Sequence, residues 1–172
     1  TRFGNGITHL ARQKDGWRVH LDDASVQDAA AVILANGIEA MALSGFSAMA
    51  LAANRGQISY VAATPISDRI MAPITFGSYL TPAVNGAHAL GATFDREADW
   101  NGDSWAAVRE DDHRRNLESV AQRLPRLAAA FGDVTGGWTG LRATTPDRAP
   151  VVGPVPEGEA FASALSAMGV GG

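Results

Sequence analysis

Arg142 is the residue whose surroundings most suggest a bound anion. It ends a strand-like run, GGWTGLRAT, and precedes a proline-stiffened segment, in the stretch GLRATTPDRAPVVGP (140–154). A planar guanidinium beside so rigid a loop is either a surface salt-bridge donor or a positioned fork for a carboxylate or phosphate. The remaining candidate chemistries must be weighed before choosing.

Nucleophilic hydrolysis lacks its signature. Serines are available, but no GxSxG elbow occurs, and His9, His20, His88 and His113 lie in unrelated contexts. His9 and His20 fall on strand-like runs, where an exposed or internally satisfied histidine is expected. His88 follows a hairpin signal and reads as solvent-facing. A metal site is no better supported, because no two histidines are spaced i,i+4 and there is no cysteine. The acidic run Glu110-Asp111-Asp112 sits in a helical pattern, where adjacent side chains diverge, so it reads as a solvated face. No GxGxxG lies between a strand and a helix, and no GxxxxGK[ST] occurs.

The elements that must position Arg142 can be read from periodicity. Residues 7–35 read as a β-meander, with ITHLARQ and WRVHLDD flanking Lys14-Asp15-Gly16, a hairpin signal that calls for positive φ at Asp15 and Gly16. A third run, AAAVILANG, is apolar on both faces, as a doubly buried strand should be, and ends at Asn36-Gly37. Residues 38–54 suggest at most a weak Ala-rich helix. RGQISYVAAT alternates as a strand. ITFGSYLTPAV and HALGATFD form an antiparallel pair across Asn85-Gly86. Asp103 or Ser104 can cap a helix running to about Leu124, where Pro125 interrupts it. Leu117, Val120, Leu124 and Leu127 make its apolar stripe, with Arg109, Glu110, Asp112, Arg114 and Arg115 on a charged face. The return strand GGWTGLRAT then leads to Arg142. The sum is a β-rich α+β arrangement.

Bulk properties agree with a globular chain long enough to bury a core: 172 residues, 46% hydrophobic and 19% charged. No apolar run approaches the roughly 20 residues of a spanning helix, and no basic-then-apolar leader opens the chain. The absence of cysteine excludes disulfides and thiolate chemistry and fits a reducing compartment. A net charge of −4 argues against a surface that binds nucleic acid throughout. Thirteen arginines against one lysine read first as a compositional bias. Starting at Thr1 and stopping at GVGG, the chain reads as a piece of a longer polypeptide.

In their order and spacing, VILANG, RGQ, GSYLTP, LGATFD and GLRATTPDRAPVVGP resemble the FAD-dependent D-amino-acid and glycine oxidase (DAO) superfamily. GATFDRE and TPDRAPVVGPVP narrow the resemblance to the C-terminal oxidoreductase half of bifunctional enzymes that mature 5-methylaminomethyl-2-thiouridine at the tRNA wobble position. It runs from about Ile7 to Gly172.

The resemblance implies a fragment of a DAO-type FAD oxidoreductase. Residues 1–37 would be part of the FAD-binding domain, 38–139 a substrate-binding domain with an antiparallel sheet under a long helix, and 140–172 a truncated return to the FAD-binding domain. Ala35, Asn36 and Gly37 match a small-residue turn against the cofactor, and Gly153, Gly169, Gly171 and Gly172 match small residues that meet it. Arg55 and Gln57 would lie near the flavin. Tyr79 matches a substrate-facing position, and Arg142 the arginine that forks the substrate carboxylate. The implied reaction removes the carboxymethyl group from carboxymethylaminomethyl-2-thiouridine by oxidising its C–N bond. Implied partners are tRNA, reached in part through Arg109, Arg114, Arg115, Arg123 and Arg126, and a methyltransferase half in the same cytoplasmic polypeptide. The family's GxGxxG fingerprint is missing here, so the piece alone would hold FAD weakly and be inactive, and S-adenosylmethionine is not assigned to it. A glycine, sarcosine or D-amino-acid oxidase, and a non-catalytic β-rich binding module, remain the alternatives.

Overall fold

The computed structural model describes residues 4–45, 51–96 and 104–155. The chain divides into two compact units, Thr1–Leu51 with Thr145–Gly172, and Ala52–Thr144. These units change at Leu51/Ala52 and Thr144/Thr145, whereas the resemblance implies domain bounds at 37/38 and 139/140.

The first unit holds an antiparallel sheet of β1 (Ile7–Gln13), β2 (Gly16–Leu21) and β3 (Val26–Ala29), in that order. The β1–β2 loop is Lys14-Asp15, since Gln13 pairs with Gly16, and neither loop residue has a positive φ. Gly16, at the start of β2, does have a positive φ of 159°, and a second reason also calls for glycine there. A Cβ there would lie 2.4 Å from the Ala29 carbonyl oxygen, so only glycine lets β3 come this close.

The third strand is shorter and earlier than AAAVILANG predicts. β3 ends at Ala29, and residues 31–35 are in no regular element, with Ile33 90% exposed. A strand buried on both faces needs a neighbour along its edges to satisfy its backbone. Among the described residues none is supplied. After Asn36, a 3₁₀ turn (Gly37–Glu39) passes into the short helix α1 (Ala40–Ser44), closed by Gly45 in the left-handed region. This is the weak Ala-rich helix.

The second unit is built on β4 (Ala52–Ala62). One of its edges takes β7 (Ala87–Gly91) and β8 (Asp95–Arg96), and the other takes β9 (Val134–Thr144), all antiparallel. β5 (Ile74–Thr75) and β6 (Tyr79–Leu80) extend the sheet beyond β7. Asn85 and Gly86 turn the chain into β7 with φ of 53° and 79°, the double left-handed turn that this dipeptide favours.

One face of the sheet is covered by α2 (Glu110–Arg123) and the short α3 (Pro125–Ala128). Val61, Leu80, Leu90 and Val120 form the core, with Leu117, Leu124 and Leu127 packed against it, so the expected apolar stripe is the one used. The helix begins later than the sequence suggests. Asp103 lies outside the described residues, and Ser104–Ala106 is a separate 3₁₀ turn. Arg109 remains extended because Gln57 grips both sides of its peptide: Arg109 N donates to Oε1 at 2.7 Å, and Nε2 donates to Arg109 O at 2.8 Å.

Two residues expected at the surface are buried. Asp112, placed on the charged face by helical periodicity, is 3% exposed against the sheet. His88, expected in solvent, is fully buried between Thr81 O at Nδ1 (2.9 Å) and Ser67 Oγ at Nε2 (3.0 Å). In both cases a long-range partner overrides the local pattern.

Candidate functional site

Alternation along β4 and β9 sorts their side chains onto two faces. Arg55, Gln57, Ser59 and Val61 turn toward α2, whereas Asn54, Gly56, Ile58 and Tyr60 turn to the other side. β9 is paired so that Trp138 stands opposite Ile58, Gly140 opposite Gly56, and Arg142 opposite Asn54. Trp138 and Arg142 therefore occupy the face that no helix among the described residues of this unit covers.

On that face Arg142 lies down rather than projecting outward. A Cβ on Gly56 would stand 2.2 Å from its Nη1 and 2.8 Å from its Cζ, so the guanidinium rests directly on that glycine. Nη1 donates to Thr93 O at 3.3 Å, and Cζ sits 5.6 Å from the centroid of the Phe94 ring, within cation–π range. The side chain stays exposed, and most of its five N–H donors remain available for an anion. Tyr79 shares the face. Its neighbour Leu80 is fully buried in the core, and Tyr79 itself is half-buried in a cross-strand row of Tyr79, Gly91, Ile58 and Trp138.

Arg55 and Gln57 are not in this group. They face α2 and are fully buried. Arg55 donates Nε to Trp105 O, Nη1 to Asp112, and Nη2 to both Gln57 Oε1 and Ala107 O. This places them on the side of the sheet opposite Arg142, tying α2 and the segment before it to β4. In the first unit, Ala35, Asn36 and Gly37 are exposed, and nothing lies within 4 Å of where a Gly37 Cβ would stand. Gly153 is equally open. Gly169, Gly171 and Gly172 lie outside the described residues. The Thr145–Ala149 loop holds itself: Thr145 Oγ1 donates to Ala149 O at 2.8 Å, and Ala149 N–H donates to Asp147, which holds that carboxyl below its usual range.

The sheet's covered face also contains a serine–histidine pair. Ser59 Oγ lies 2.7 Å from His113 Nδ1, and Asn116 Nδ2 donates to the same oxygen at 3.0 Å. Ser59 on β4 and His113 and Asn116 on α2 are all buried between the sheet and the helix, where the pair serves the packing of the unit. Among the described residues no group of three metal-ligating side chains occurs. The basic residues of α2 are largely committed. Arg115 binds Asp95 and Asp112, and Arg114 binds Asp111 and Glu118, their hydrogen-bonded carboxylates raising both guanidinium pKa values.

Sequence reasoning overlooked Trp138. It is 61% exposed, and its Cη2 would lie 2.4 Å from a Cβ on Gly140. The signal was present in W-x-G-x-R: at strand periodicity those three positions share one face.

The chain belongs to the DAO family of FAD-dependent oxidoreductases, whose sequence profile matches residues 1–172. It is 34% identical over 163 residues to the tRNA 5-methylaminomethyl-2-thiouridine biosynthesis bifunctional protein MnmC of Chromohalobacter salexigens, covering 90% of this chain and 23% of that protein. Identity to the MnmC of Caulobacter sp. is 36% over 155 residues, covering 87% of this chain and 24% of that protein. The chain thus spans about a quarter of these relatives. Its fold is similar to glycine oxidase from Geobacillus kaustophilus, with a TM-score of 0.70 at 22% identity over 89% of this chain and 40% of that one. It is also similar to iminodiacetate oxidase from Chelativorans sp. BNC1, with a TM-score of 0.64 at 19% identity over 86% of this chain and 40% of that one. Family membership sets aside the non-catalytic module and agrees with the α+β fold. No helix among the described residues is long and apolar enough to cross a membrane.

Proposed function

We propose that this chain carries the substrate grip of a flavin amine oxidase that removes the carboxymethyl group from carboxymethylaminomethyl-2-thiouridine in tRNA, a cytoplasmic reaction. The supporting observation is Arg142, a forked cation laid flat on an exposed, partly aromatic sheet face with few of its donors committed. The substrate's carboxylate is its one anionic group near the C–N bond to be broken, and a guanidinium binds such a group through two parallel charge-assisted bonds. Fixing the carboxylate fixes the adjacent carbon, an entropic gain that can lower the barrier by several kcal/mol.

Each unit, taken by itself, has a feature that fits FAD. Ala35 to Gly37 present an exposed backbone with space at the Gly37 Cα, as close approach by a cofactor requires. The open sheet face of the second unit carries two glycines, Gly56 and Gly140, with Trp138 and Arg142 laid over them. When FAD is bound, the carbon next to the substrate nitrogen gives up a hydride to it, and water hydrolyses the resulting imine to the aminomethyl uridine and glyoxylate. Tyr79 would border the substrate on the same face. Arg123 and Arg126 are the α2–α3 arginines we assign to phosphate contact, and the methyl transfer belongs to a companion domain in the same polypeptide.

The similarity to glycine oxidase favours a second reading, in which the same fork holds glycine or another small amino acid. Full-length enzyme assayed on carboxymethylaminomethyl-modified tRNA and on glycine separates the two. Replacing Arg142 with Ala should lower kcat/KM on the modified tRNA by about 100-fold or more, with KM raised and kcat reduced. Unchanged kinetics would remove the fork from the mechanism.

A further inference from the structure

The open face carries an aromatic plate beside its cation. Gly56 and Gly140 are cross-strand partners, and antiparallel partners stand about 5 Å apart. The Arg142 guanidinium rests on Gly56 and the Trp138 indole rests on Gly140, each so close that a methyl group would displace it. The two side chains reach the glycine pair from opposite ends, Arg142 from the Asn54 side and Trp138 from the Ile58 side. Trp138 is 61% exposed in this position, although tryptophan ordinarily buries most of its surface.

We propose that Trp138 is a stacking platform for a planar base, and that together with Arg142 it selects substrates whose carboxylate is joined to a pyrimidine ring by a short arm. This rests on the reading of Arg142 as a carboxylate fork and deepens it by assigning the residue that would recognise the ring. The spacing agrees. Four single bonds separate the carboxylate carbon from the ring in a carboxymethylaminomethyl pyrimidine, a reach of about 5 Å when extended. A carboxylate on the guanidinium therefore leaves the ring over the indole. The indole adds no charge, so its contribution comes chiefly from π overlap and exclusion of water. A small amino acid has nothing to place there.

The test uses full-length enzyme loaded with FAD and two substrates sharing the carboxymethylamine group: the carboxymethylaminomethyl-uridine nucleoside and the ringless N-ethylglycine. Trp138→Ala should reduce the ratio of kcat/KM for the nucleoside to that for N-ethylglycine by about 10- to 100-fold, mostly through KM. Trp138→Phe should restore it to within a few-fold of wild type. Trp138→Leu, which keeps apolar bulk without a π face, should lower it as alanine does, and this pair decides the matter if the alanine variant fails to fold. Damage to packing alone would lower both activities together and leave the ratio unmoved, which would overturn the proposal. Restoration by leucine as fully as by phenylalanine would overturn it too. A wild-type enzyme inactive on the nucleoside yet active on glycine defeats the tRNA reading, whereas one active on the nucleoside with a ratio indifferent to position 138 defeats only the stacking.

Discussion

Arg55 and Arg142 sit on neighbouring strands of one sheet and face opposite ways, and their fates differ completely. Arg55 is fully buried, and each of its three guanidinium nitrogens is bonded to a carboxylate, an amide or a carbonyl. Arg142 is exposed and makes one bond of 3.3 Å to a carbonyl. The covered face is polar yet fully satisfied: Gln57, Ser59, Asp112, His113 and Asn116 bind each other, Arg55 or nearby backbone. The open face is aromatic and glycine-floored, with a cation that has capacity left. Side chains that fold the unit and side chains that can hold a ligand therefore alternate along the same strands.

The sharpest way to break this contrast is to remove Asp112. Its carboxylate and Arg55 are 5% and 0% exposed, so Asp112→Ala leaves an uncompensated buried guanidinium. Such a change costs about 3–5 kcal/mol. Arg142→Ala, which strands no buried charge, should change stability by no more than about 0.5 kcal/mol. Urea unfolding of the two full-length variants tests the pair. Equal destabilisation would mean that the faces are not divided as described.

Glycines sharpen the same contrast at smaller scale. A Cβ on Gly137, on the covered face, would lie 2.7 Å from both His113 Cε1 and the Ile58 carbonyl oxygen. Backbone and a buried ring cannot easily yield, so Gly137→Ala should cost about 1–3 kcal/mol. For a Cβ on Gly56, on the open face, the nearest atoms belong to the end of the Arg142 side chain, at 2.2 Å. Gly56→Ala should shift stability by under about 1 kcal/mol but push the guanidinium aside, lowering kcat/KM on the carboxylated substrate by about 10-fold. Gly137→Ala with unchanged stability, or Gly56→Ala with unchanged kinetics, would show that the seat has more slack than these contacts allow.

How much of this could be read in advance follows from the range of the forces involved. The hairpin at Asn85-Gly86, the strands around Ile58 and Thr139, and the stripe from Leu117 to Leu127 are local patterns, and all were legible. The place of Arg142 near the end of β9 was legible because a strand end beside a stiff loop is also local. The burial of Asp112 and His88 was not, because each answers to a partner distant in sequence: Arg55, 57 residues away, and Ser67, 21 residues away. The resemblance implies that Arg55 and Gln57, in the RGQ run, lie near a flavin; strand parity turns both toward α2. The same parity put Trp138 beside Arg142, and it was missed because glycines 56 and 140 acquire their meaning only once β4 and β9 are in register. AAAVILANG reads as a strand by composition alone, and composition cannot provide edge partners.

The smallest expected effect lies at the rim between the two faces. Arg115 grips Asp95 with bonds of 2.7 and 3.0 Å, and this hydrogen bonding holds the Asp95 carboxyl below its ordinary range. A carboxyl with a depressed folded pKa contributes stability that is complete above its unfolded value of about 3.9 and is lost as pH falls through the lower folded value. Both side chains are more than a third exposed, at 38% and 45%, so solvent screening limits the pair to under about 1 kcal/mol. Asp95→Asn should therefore be slightly less stable than wild type at pH 7, and the gap should close below about pH 4 and narrow in high salt. Asp95 follows Phe94, against whose ring Arg142 lies, so this variant also asks whether anchoring β8 to α2 steadies the anion fork. A gap that persists undiminished into the acid range would mean the Asp95 carboxylate contributes through packing rather than charge, and that the rim joins the faces sterically.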